Sequence, residues 1–433
     1  MQGNNILRRF YDTLKQFFPQ SFRLFLRHNI IQPVTLYRIK KKHIKTHKIL
    51  VKQVNSYYDK AEYLTVNMPH GVNVTGFIAG EMGIGECGRG LVRSLNASEI
   101  PYTIRNIELT SSSNDDSEFS SKFNDSFIYN TNIIVMNPDF LWNLIKSWDK
   151  TDLSNHYNIG YWNWELSELP DDWIAQLSLI HEVWCSSRFT EQTLRKVTDI
   201  PIHRVPISIS LECKAGLTRQ TFGLPEDKFL FLSMYDIFST QMRKNPRGAI
   251  DAFIKAFQND TSVCMVVKVN HASDDNVDLI NLREDYKNYK NIIFYNKSLR
   301  RNELNSFMSL TDCYISLHRA EGFGLPLAEC MYLGLPVIGT NWSGNTEFMN
   351  IHNSCPVDYK FAELEDDYYI YRKGNIWAEP DIEHAASYMK KLVNDKQYYK
   401  TIAAAGQKTI HDEYSPEVIG KLVKQRLTAL NLI

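Results

Sequence analysis

The sequence lacks the patterns that indicate several common classes of protein. None of its seven cysteines stands in a Cys-x-x-Cys pair and their number is odd, which argues against a disulfide framework. No run of about 18 apolar residues is present, so no membrane-spanning helix is expected. The N-terminus also lacks the uninterrupted apolar core of a signal peptide. These absences predict a cytoplasmic protein whose reduced cysteines serve as small buried apolar residues.

Signatures of hydrolytic, phosphate-loop and metal-dependent chemistry are also missing. Neither a G-x-S-x-G nor a Walker A sequence occurs. Among the twelve histidines only His43 and His47 have the H-x-x-x-H spacing, and no Cys, Asp or Glu lies within ten residues of either in the sequence. Adjacent aspartates occur, among them the pairs Asp115–Asp116, Asp171–Asp172 and Asp274–Asp275, but none forms a D-x-D after a strand. We therefore predict no bound metal ion.

Charge is balanced over the whole chain but unevenly distributed. The formal net charge is zero, which gives no reason to expect nucleic acid as a partner. Residues 1–54 nevertheless contain twelve basic residues and a single acid, Asp12. The segment 1–55 mixes Phe and Leu with Arg and Lys, and Pro19 and Pro33 prevent one long helix. Either its apolar face lies on an anionic membrane surface, or that face packs on the protein body or a partner chain.

From about Asn73 onward, short apolar runs typical of strands alternate with helical patterns. This alternation predicts an α/β fold in which helices cover both faces of parallel sheets. A second cycle of the same kind begins after Gly223, with five strand candidates such as FLFLSMYD and CMVVKVN. The sequence therefore predicts two doubly wound, Rossmann-like domains with a boundary near residues 211–225. The predicted parts are residues 1–55, 56–218, 219–410 and a C-terminal helix over 411–433.

A glycine-rich turn follows the first strand candidate, at a position where parallel sheets bind ligands. The string GEMGIGECGRG has the G-x-G-x-x-G spacing of dinucleotide-binding loops, at Gly83, Gly85 and Gly88. Glu108 lies 20 residues beyond the last of these glycines, but Glu81 and Glu86 would repel a pyrophosphate close by. Three interpretations stay open for this turn: contact with a phosphate or a sugar, a purely structural tight turn, and an NAD site.

A second turn, in the string HRAEGFGLPLAE, joins a strand candidate to a helix that begins near Leu325. Free N–H groups at Gly324 and Leu325, together with the helix dipole, favour an anion above the strand end. Glu321 and Glu329 flank that position, which suits a ligand with hydroxyl groups on both sides of its phosphates. A nucleotide-sugar has this order of sugar, diphosphate and ribose, and carboxylates accept hydrogen bonds from vicinal diols. The alternative is an ordinary strand-turn-helix without a ligand.

The string EGFGLPLAE, with seven residues between its two glutamates, resembles the E-x7-E motif of retaining glycosyltransferase family 4, which has the GT-B fold. The LGLPVIGT that follows strengthens this resemblance, which spans residues 72–430. It implies two Rossmann-like domains facing across a cleft. The N-terminal domain would bind the acceptor, the C-terminal domain would bind the nucleotide-sugar, and the last helix would return to the N-terminal domain.

The resemblance assigns roles to individual residues around this motif. Glu321 matches the acid that holds the transferred sugar, and Glu329 matches the acid that binds the ribose. Lys244 matches the lysine that neutralises the diphosphate, so Glu321 and Lys244 are the predicted catalytic residues. Backbone N–H groups from Phe323 to Leu325 would surround the donor.

One position departs from the family pattern. The family's usual arginine lies five residues before the lysine, where this sequence has Ser239. Arg243 and Lys268 are the candidates for the second cation opposite the diphosphate. Lys244 with either of them and a helix dipole would do the work of a divalent ion on the leaving diphosphate, so no metal or other cofactor is required.

The N-terminal half supplies the remaining candidates. Gly83 and Gly85 of the glycine-rich turn would contact the donor, and Glu86 would contact the acceptor or the sugar. The family's histidine near the sugar is not identifiable, and its region reads GYWNWELSELPDDW. The candidates in this string for lining the sugar or acceptor site are Trp162, Trp164 and Glu165. Alternatively, both tryptophans are core residues and the glutamate caps a helix.

The resemblance implies a retaining glycosyltransferase that moves a sugar from a UDP- or GDP-sugar to a saccharide, a lipid-linked saccharide or a protein, in the synthesis of surface glycans. A membrane-bound segment 1–55 would place the protein at the inner face of the membrane. Two rivals stay open. One is an NAD-dependent oxidoreductase that uses the glycine-rich turn, and the other is an inactive GT-B subunit of a partner transferase, supported by the serine at position 239.

Overall fold

The computed structural model describes residues 48–54, 57, 68–108, 117–368 and 370–433. The chain divides into two compact units, residues 1–58 and 59–433. Residues 48–54 are helical. The predicted membrane or partner contact of the segment 1–55 lies almost wholly outside the described residues. In the described parts, no helix is long and apolar enough to cross a membrane.

The N-terminal half of the larger unit contains a six-stranded sheet whose strands all pair in parallel. Its strands are β1 (Val72–Gly76), β2 (Tyr102–Asn106), β3 (Thr131–Val135), β4 (Tyr157–Trp162), β5 (Glu182–Cys185) and β6 (Ile202–Arg204). They lie in the order β2-β1-β3-β4-β5-β6. Strands such as β1 and β3 are buried along their whole length because helices cover both faces of the sheet. The strand order reverses between β1 and β3, so their carboxyl ends border the crevice in which such sheets bind ligands.

Among the described residues, the α-helices that accompany this sheet are α1 (Gly83–Ala97), α2 (Pro138–Ile145), α3 (Thr151–Ser154), α4 (Asp171–Ile174) and α5 (Arg188–Leu194). The glycine-rich turn is shorter than its sequence suggests, since α1 already begins at Gly83. A Cβ atom added at Gly85 would collide with the carbonyl oxygen of Gly80, and one at Gly88 would collide with the side chain of Ile78. A Cβ at Gly83 would meet nothing within 4 Å. Two of the three glycines therefore serve close packing, and the first lies beside open space.

The C-terminal half contains a second parallel sheet of six strands, in the order β12-β11-β10-β7-β8-β9. Its strands are β7 (Phe229–Asp236), β8 (Val263–Asn270), β9 (Ile292–Tyr295), β10 (Cys313–Ser316), β11 (Val337–Thr340) and β12 (Cys355–Val357). A separate antiparallel ribbon is formed by β13 (Tyr359–Glu363) and β14 (Ile376–Pro380). The two parallel sheets and the helices between their strands confirm the predicted α/β, doubly wound architecture.

The helices of this half are α6 (Arg219–Phe222), α7 (Gln241–Lys244), α8 (Pro246–Phe257), α9 (Val277–Asp285), α10 (Arg301–Ser309), α11 (Leu325–Tyr332), α12 (Ile382–Asn394) and α13 (Lys396–Glu413). The short α7 is separated from α8 by Asn245, whose φ of 49° lies in the left-handed region. The Asn245 side chain donates to the carbonyl of Leu317 at 2.9 Å and accepts from the N–H of Gly248 at 3.2 Å. These bonds fix the end of α7 against the loop that follows β10.

The last helix, α14 (Pro416–Ala429), packs against α1 of the N-terminal half. Gly420 allows the close approach, because a Cβ there would collide with the carbonyl oxygen of Ser94. Lys424 donates to the carbonyl of Ser98 at 3.0 Å, and Arg426 donates to the buried carboxylate of Glu182 at 3.0 Å. The two halves are therefore joined by the chain at residues 205–228 and again by this helix.

Candidate functional site

The loop from Leu317 to Gly324 follows β10 at the carboxyl end of the second sheet. The N–H of Glu321 donates to the hydroxyl of Ser343 at 2.8 Å, and the Glu321 carbonyl accepts from the N–H of Gly344 at 2.8 Å. A side chain at Gly344 would collide with the backbone of Gly322. Residues that follow β11 thus hold the loop from one side and orient the Glu321 side chain.

The Glu321 carboxylate is buried and bound by two cations of the short helix α7. Lys244 donates to its Oε1, and an Arg243 Nη1 atom lies 3.6 Å from its Oε2. Burial would raise the pKa of Glu321, but the charges of Lys244 and Arg243 outweigh this effect and lower it to about 2. Burial also lowers the pKa of Lys244, and the charge of Glu321 offsets part of that effect. Glu321 and its two cations form an ionised cluster that water scarcely reaches.

Arg243 joins this cluster to the N-terminal half. Its Nη1 donates to the carbonyl of Ala320 at 2.8 Å, and its Nε lies 3.4 Å from the carboxylate of Glu165. The same Glu165 carboxylate accepts a hydrogen bond from the hydroxyl of Tyr371 at 2.6 Å. Of the predicted sugar or acceptor residues in GYWNWE, Glu165 therefore lies beside the cluster. Tyr371, in the connection between β13 and β14, was not anticipated from the sequence.

The helix α11 begins directly above this loop. Gly324 has a φ of 93°, which glycine adopts readily, and it precedes the first helical residue, Leu325. In the described parts of the chain, the N–H groups of Gly324 and Leu325 donate to no protein acceptor. The ring of Phe323 packs between Phe348 and Tyr414, so this residue offers the site its backbone alone. The helix N-terminus therefore carries unsatisfied donors, and a bound anion would accept from them.

Glu329 lies one turn further along α11 and is buried. Arg301, the first residue of α10, donates to its Oε1. The Nε atom of Arg301 also lies 3.6 Å from the carboxylate of Glu86 in α1. Arg301 is not identifiable from the sequence, because no local pattern connects it with an acid 28 residues later in the chain.

Glu86 has both carboxylate oxygens bound by arginines. Arg89 donates to one oxygen at 2.9 Å, and Arg93 donates to the other at 2.7 Å. Burial would raise the pKa of Glu86, but the charges of Arg301, Arg93 and Arg89 lower it to about 2. Arg93 pairs in addition with Glu118. The predicted contact of Glu86 with an acceptor or a sugar thus requires a carboxylate that is already fully paired.

Acid is expected to destabilise the protein through Glu86. A carboxyl group with a depressed folded pKa contributes stability above its unfolded pKa and loses that contribution as the pH falls. For Glu86 this window extends from about 4.5 down to about 2. Urea titrations should show the free energy of unfolding falling across this window, and falling less in Glu86→Gln. The exposed-site variant Glu383→Gln serves as the control. If the free energy of unfolding falls as steeply in Glu86→Gln as in the wild-type protein, this role of Glu86 is contradicted.

Trp162 and Trp164 lie in the core of the N-terminal half. They are 0% and 1% exposed, and both contact the ring of Trp173. The indole N–H of Trp164 donates to the carbonyl of Glu168 at 2.7 Å, so its polar edge is already engaged. These positions favour the alternative interpretation, in which both tryptophans are core residues, because an enclosed ring offers no face to a sugar.

Lys268 is buried at the carboxyl end of β8. Its amino group donates to the side chain of Asn270 at 2.5 Å, and burial lowers its pKa to about 8 against the opposing effect of Asp236. Among the described residues, no hydrogen bond or ion pair connects Lys268 with Glu321 or Lys244. Of the two candidates for the second phosphate cation, only Arg243 lies beside Lys244.

Asp139 is a further carboxylate that the sequence analysis did not identify. It lies in the first turn of α2, directly after β3 at the strand-order reversal. Its Oδ1 atom is buried and has no hydrogen-bond partner among the described residues. Burial, with a smaller contribution from the charge of Glu165, raises the pKa of Asp139 to about 6. An acid in this state gains from any hydroxyl group that donates to it.

Direct hydrogen bonds connect the two halves next to the cluster. The hydroxyl of Ser187, at the start of α5, donates to the carbonyl of Gly322 at 2.8 Å. The N–H of Arg188 donates to the carboxylate of Glu347 at 2.8 Å. The candidate site therefore lies where the carboxyl ends of the two sheets meet.

Within the described residues, no group of three or more His, Cys, Asp or Glu side chains is arranged to hold a metal ion. The aspartate pair at residues 115 and 116 lies outside the described residues. The cysteines in the described parts are all unpaired, and all but Cys213 are buried.

Two parallel six-stranded sheets that meet at their carboxyl ends define a GT-B fold, and solved structures share it. HepE from Anabaena, in complex with UDP and glucose, has a TM-score of 0.59 at 12% identity, over 83% of this chain and 100% of that one. Sucrose-phosphate synthase from Thermosynechococcus elongatus has a TM-score of 0.59 at 14% identity, over 84% of this chain and 99% of that one. The pneumococcal O-GlcNAc transferase GtfA, with UDP and GlcNAc, has a TM-score of 0.51 at 14% identity, over 69% of this chain and 56% of that one.

Sequence comparison adds to this likeness in fold. Residues 217–409 match the family model of glycosyl transferases group 1. The O-antigen biosynthesis glycosyltransferase WclY from Escherichia coli is 31% identical to this chain over 123 residues. That alignment covers 28% of this chain and 31% of the WclY chain. The matched family segment contains the cluster around Glu321 together with Arg301 and Glu329.

Proposed function

We propose that the protein is a glycosyltransferase that transfers a sugar from a nucleoside-diphosphate sugar. The observation that carries the proposal is the buried cluster of Lys244, Arg243 and Glu321 beneath the free N–H groups of α11. Two cations at Glu321 and a helix N-terminus that begins at the end of the same short loop suit a diphosphate. The match of residues 217–409 to glycosyl transferases group 1 supports the same conclusion.

The donor would lie along the loop from Glu321 to Glu329. Its diphosphate would take Lys244 and Arg243 as partners and accept from the N–H groups at the start of α11. The transferred sugar would lie at Glu321 and the ribose hydroxyls at Glu329, whose Oε2 is not the oxygen that Arg301 holds. HepE and GtfA, which share the fold, were solved with UDP and a sugar, which favours a UDP-sugar over a GDP-sugar here.

The proposed transfer retains the configuration of the sugar. The acceptor hydroxyl attacks the anomeric carbon on the face from which the diphosphate leaves, and the departing phosphate oxygen takes the hydroxyl proton. Lys244, Arg243 and the helix N-terminus stabilise the charge that develops on the leaving diphosphate, so the reaction proceeds without a divalent ion. Glu321 orients the sugar and stabilises positive charge at the anomeric carbon.

The acceptor would bind from the N-terminal half, where Glu165 and Asp139 lie near each other. The likeness to WclY, an O-antigen biosynthesis glycosyltransferase, favours a saccharide or a lipid-linked saccharide as the acceptor, in surface-glycan synthesis. A lipid-linked acceptor also suits the basic segment 1–55, which would then hold the protein at the inner face of the membrane.

A screen of nucleotide-sugars for thermal stabilisation tests the donor class, because a ligand that binds the native state raises the melting temperature. We expect UDP-sugars or GDP-sugars to stabilise the protein and NADH to have no effect. Stabilisation by NADH alone would favour an oxidoreductase that uses Gly83 and the turn before it. No stabilisation by any nucleotide-sugar would contradict the proposal.

Glu329→Ala is expected to weaken the binding of the nucleotide-sugar about tenfold or more, from the loss of charged hydrogen bonds to the ribose. Isothermal titration calorimetry measures this directly. Glu383→Ala is a matched control, because that carboxylate is 69% exposed and pairs with Lys255 at the surface. An unchanged affinity in a folded Glu329→Ala protein would exclude Glu329 from the ribose site.

A further inference from the structure

Arg301 lies between two buried carboxylates that belong to different halves of the molecule. It donates to Glu329 in α11 of the C-terminal half, and its Nε lies 3.6 Å from Glu86 in α1 of the N-terminal half. The side chains of the two glutamates are 7% exposed for Glu86 and 4% exposed for Glu329. A guanidinium group can serve both, since its donors diverge in a fixed plane.

The two carboxylates depend on Arg301 to different degrees. Glu86 has Arg89 and Arg93 as further partners. For Glu329, no cation other than Arg301 lies within ion-pair distance among the described residues. Loss of Arg301 would therefore leave Glu329 as a buried carboxylate without a counter-charge, free to change rotamer. Arg301 thus determines the direction of the Glu329 side chain.

The contacts continue from Glu86 to the glycine-rich turn. Arg89, which pairs with Glu86, donates to the carbonyl of Ile78 at 2.7 Å and to that of Gly80 at 3.0 Å. A continuous set of charged and hydrogen-bonded contacts therefore connects the turn before α1 with Glu329. These contacts fix the position of Glu329, the proposed ribose-binding acid of the C-terminal half, relative to the ligand-binding edge of the N-terminal sheet.

We propose that Arg301 is a positioning residue for the nucleotide-sugar. It holds Glu329 oriented toward the ribose, and through Glu86 it sets this geometry only when the two halves are together. This inference rests on the proposed function and adds to it the residue through which Glu329 acts. The ribose of a nucleoside diphosphate would bind the second oxygen of Glu329, while Arg301 keeps the first.

A double-mutant cycle on the full chain tests this inference, with UDP and GDP as the calorimetric probes. Arg301→Ala should weaken the binding of the nucleoside diphosphate about tenfold, as Glu329→Ala does. Because Arg301 acts through Glu329, its replacement in a Glu329→Ala background should cause no further loss beyond about twofold. Arg301→Lys, which keeps a positive charge near Glu329, should recover part of the affinity.

Two results would overturn the inference while leaving the proposed function intact. One is wild-type affinity in Arg301→Ala, and the other is a loss in the double variant equal to the product of the two single losses. If Arg301→Ala fails to fold, Arg301→Lys is compared in the wild-type and Glu329→Ala backgrounds, where the same non-additivity is expected. Failure of the wild-type protein to bind either nucleotide would instead refute the proposed function.

Discussion

Replacement of Lys244 by alanine is expected to lower the turnover of sugar transfer about a hundredfold to a thousandfold. In the proposed reaction, charge builds up on the leaving diphosphate inside a site that excludes water, where each preorganised donor contributes strongly. Lys244 is the buried ammonium group closest to Glu321, and the ion pair joins it to the loop where the sugar would lie. Steady-state release of the nucleoside diphosphate measures the effect.

Two further variants separate the effect of the position of Lys244 from the effect of its charge. Lys255→Ala is a suitable control, because Lys255 is 56% exposed on the neighbouring helix and should leave turnover unchanged. Lys244→Arg keeps the charge but alters its reach, so we expect it to retain more activity than the alanine variant. Turnover in Lys244→Ala within about threefold of wild type would exclude Lys244 from the site where the diphosphate leaves.

Glu321→Gln is expected to have opposite effects on catalysis and on product binding. Turnover should fall strongly, because the sugar loses the carboxylate that orients it. The same change leaves Lys244 buried without its anion and leaves Arg243 with Glu165 alone, which costs about 3–5 kcal/mol of stability in the absence of ligand. A nucleoside diphosphate supplies the missing negative charge, so its affinity should rise and its presence should restore the melting temperature.

Calorimetry with UDP and GDP, and thermal melts with and without them, test this prediction. Glu383→Gln provides the control, because its carboxylate pairs with Lys255 at an exposed site where an ion pair contributes about 1 kcal/mol or less. A Glu321→Gln protein as stable as wild type, or one that loses affinity for the diphosphates, would contradict the assignment of the cluster to a phosphate site.

Much of the second half follows from local sequence. Uninterrupted apolar runs predict strands that are buried on both faces, and β7, β8 and β10 lie where those runs stand. The string around Glu321 also marks where the next helix begins, because Gly324 adopts a left-handed conformation directly before α11. The resemblance assigns Lys244 and Glu321 to the same donor site, and in the structure the two side chains form an ion pair.

The rest depends on contacts between residues far apart in the chain. Arg301 contacts Glu86 and Glu329 because the two halves pack together, and no periodic pattern in the sequence indicates that packing. The antiparallel ribbon of β13 and β14 brings Tyr371 to Glu165, and it lies outside the alternation of strands and helices that the sequence shows. Whether a tryptophan in an aromatic string faces the core or a ligand is likewise decided by neighbours such as Trp173.

The choice between Arg243 and Lys268 as the second cation opposite the diphosphate likewise depends on contacts that the sequence does not show. Both residues are cations near the carboxyl ends of strands in the same sheet, so the sequence could not rank them. In the structure Asn245 ends α7 and places Arg243 next to Ala320, whereas Lys268 bonds to Asn270 on β8. We therefore propose that Arg243, rather than Lys268, takes the place of the arginine that the resemblance implies at position 239, where this sequence has Ser239.

The central claim is that this chain cleaves a nucleotide-sugar at the cluster of Lys244, Arg243 and Glu321. The most direct test measures the release of nucleoside diphosphate from a panel of UDP-sugars and GDP-sugars by the purified wild-type and Lys244→Ala proteins. The account predicts release from at least one donor by the wild-type protein and a rate at least a hundredfold lower with Lys244→Ala. Equal release by both proteins, or no release from any donor by the wild-type protein, would contradict it.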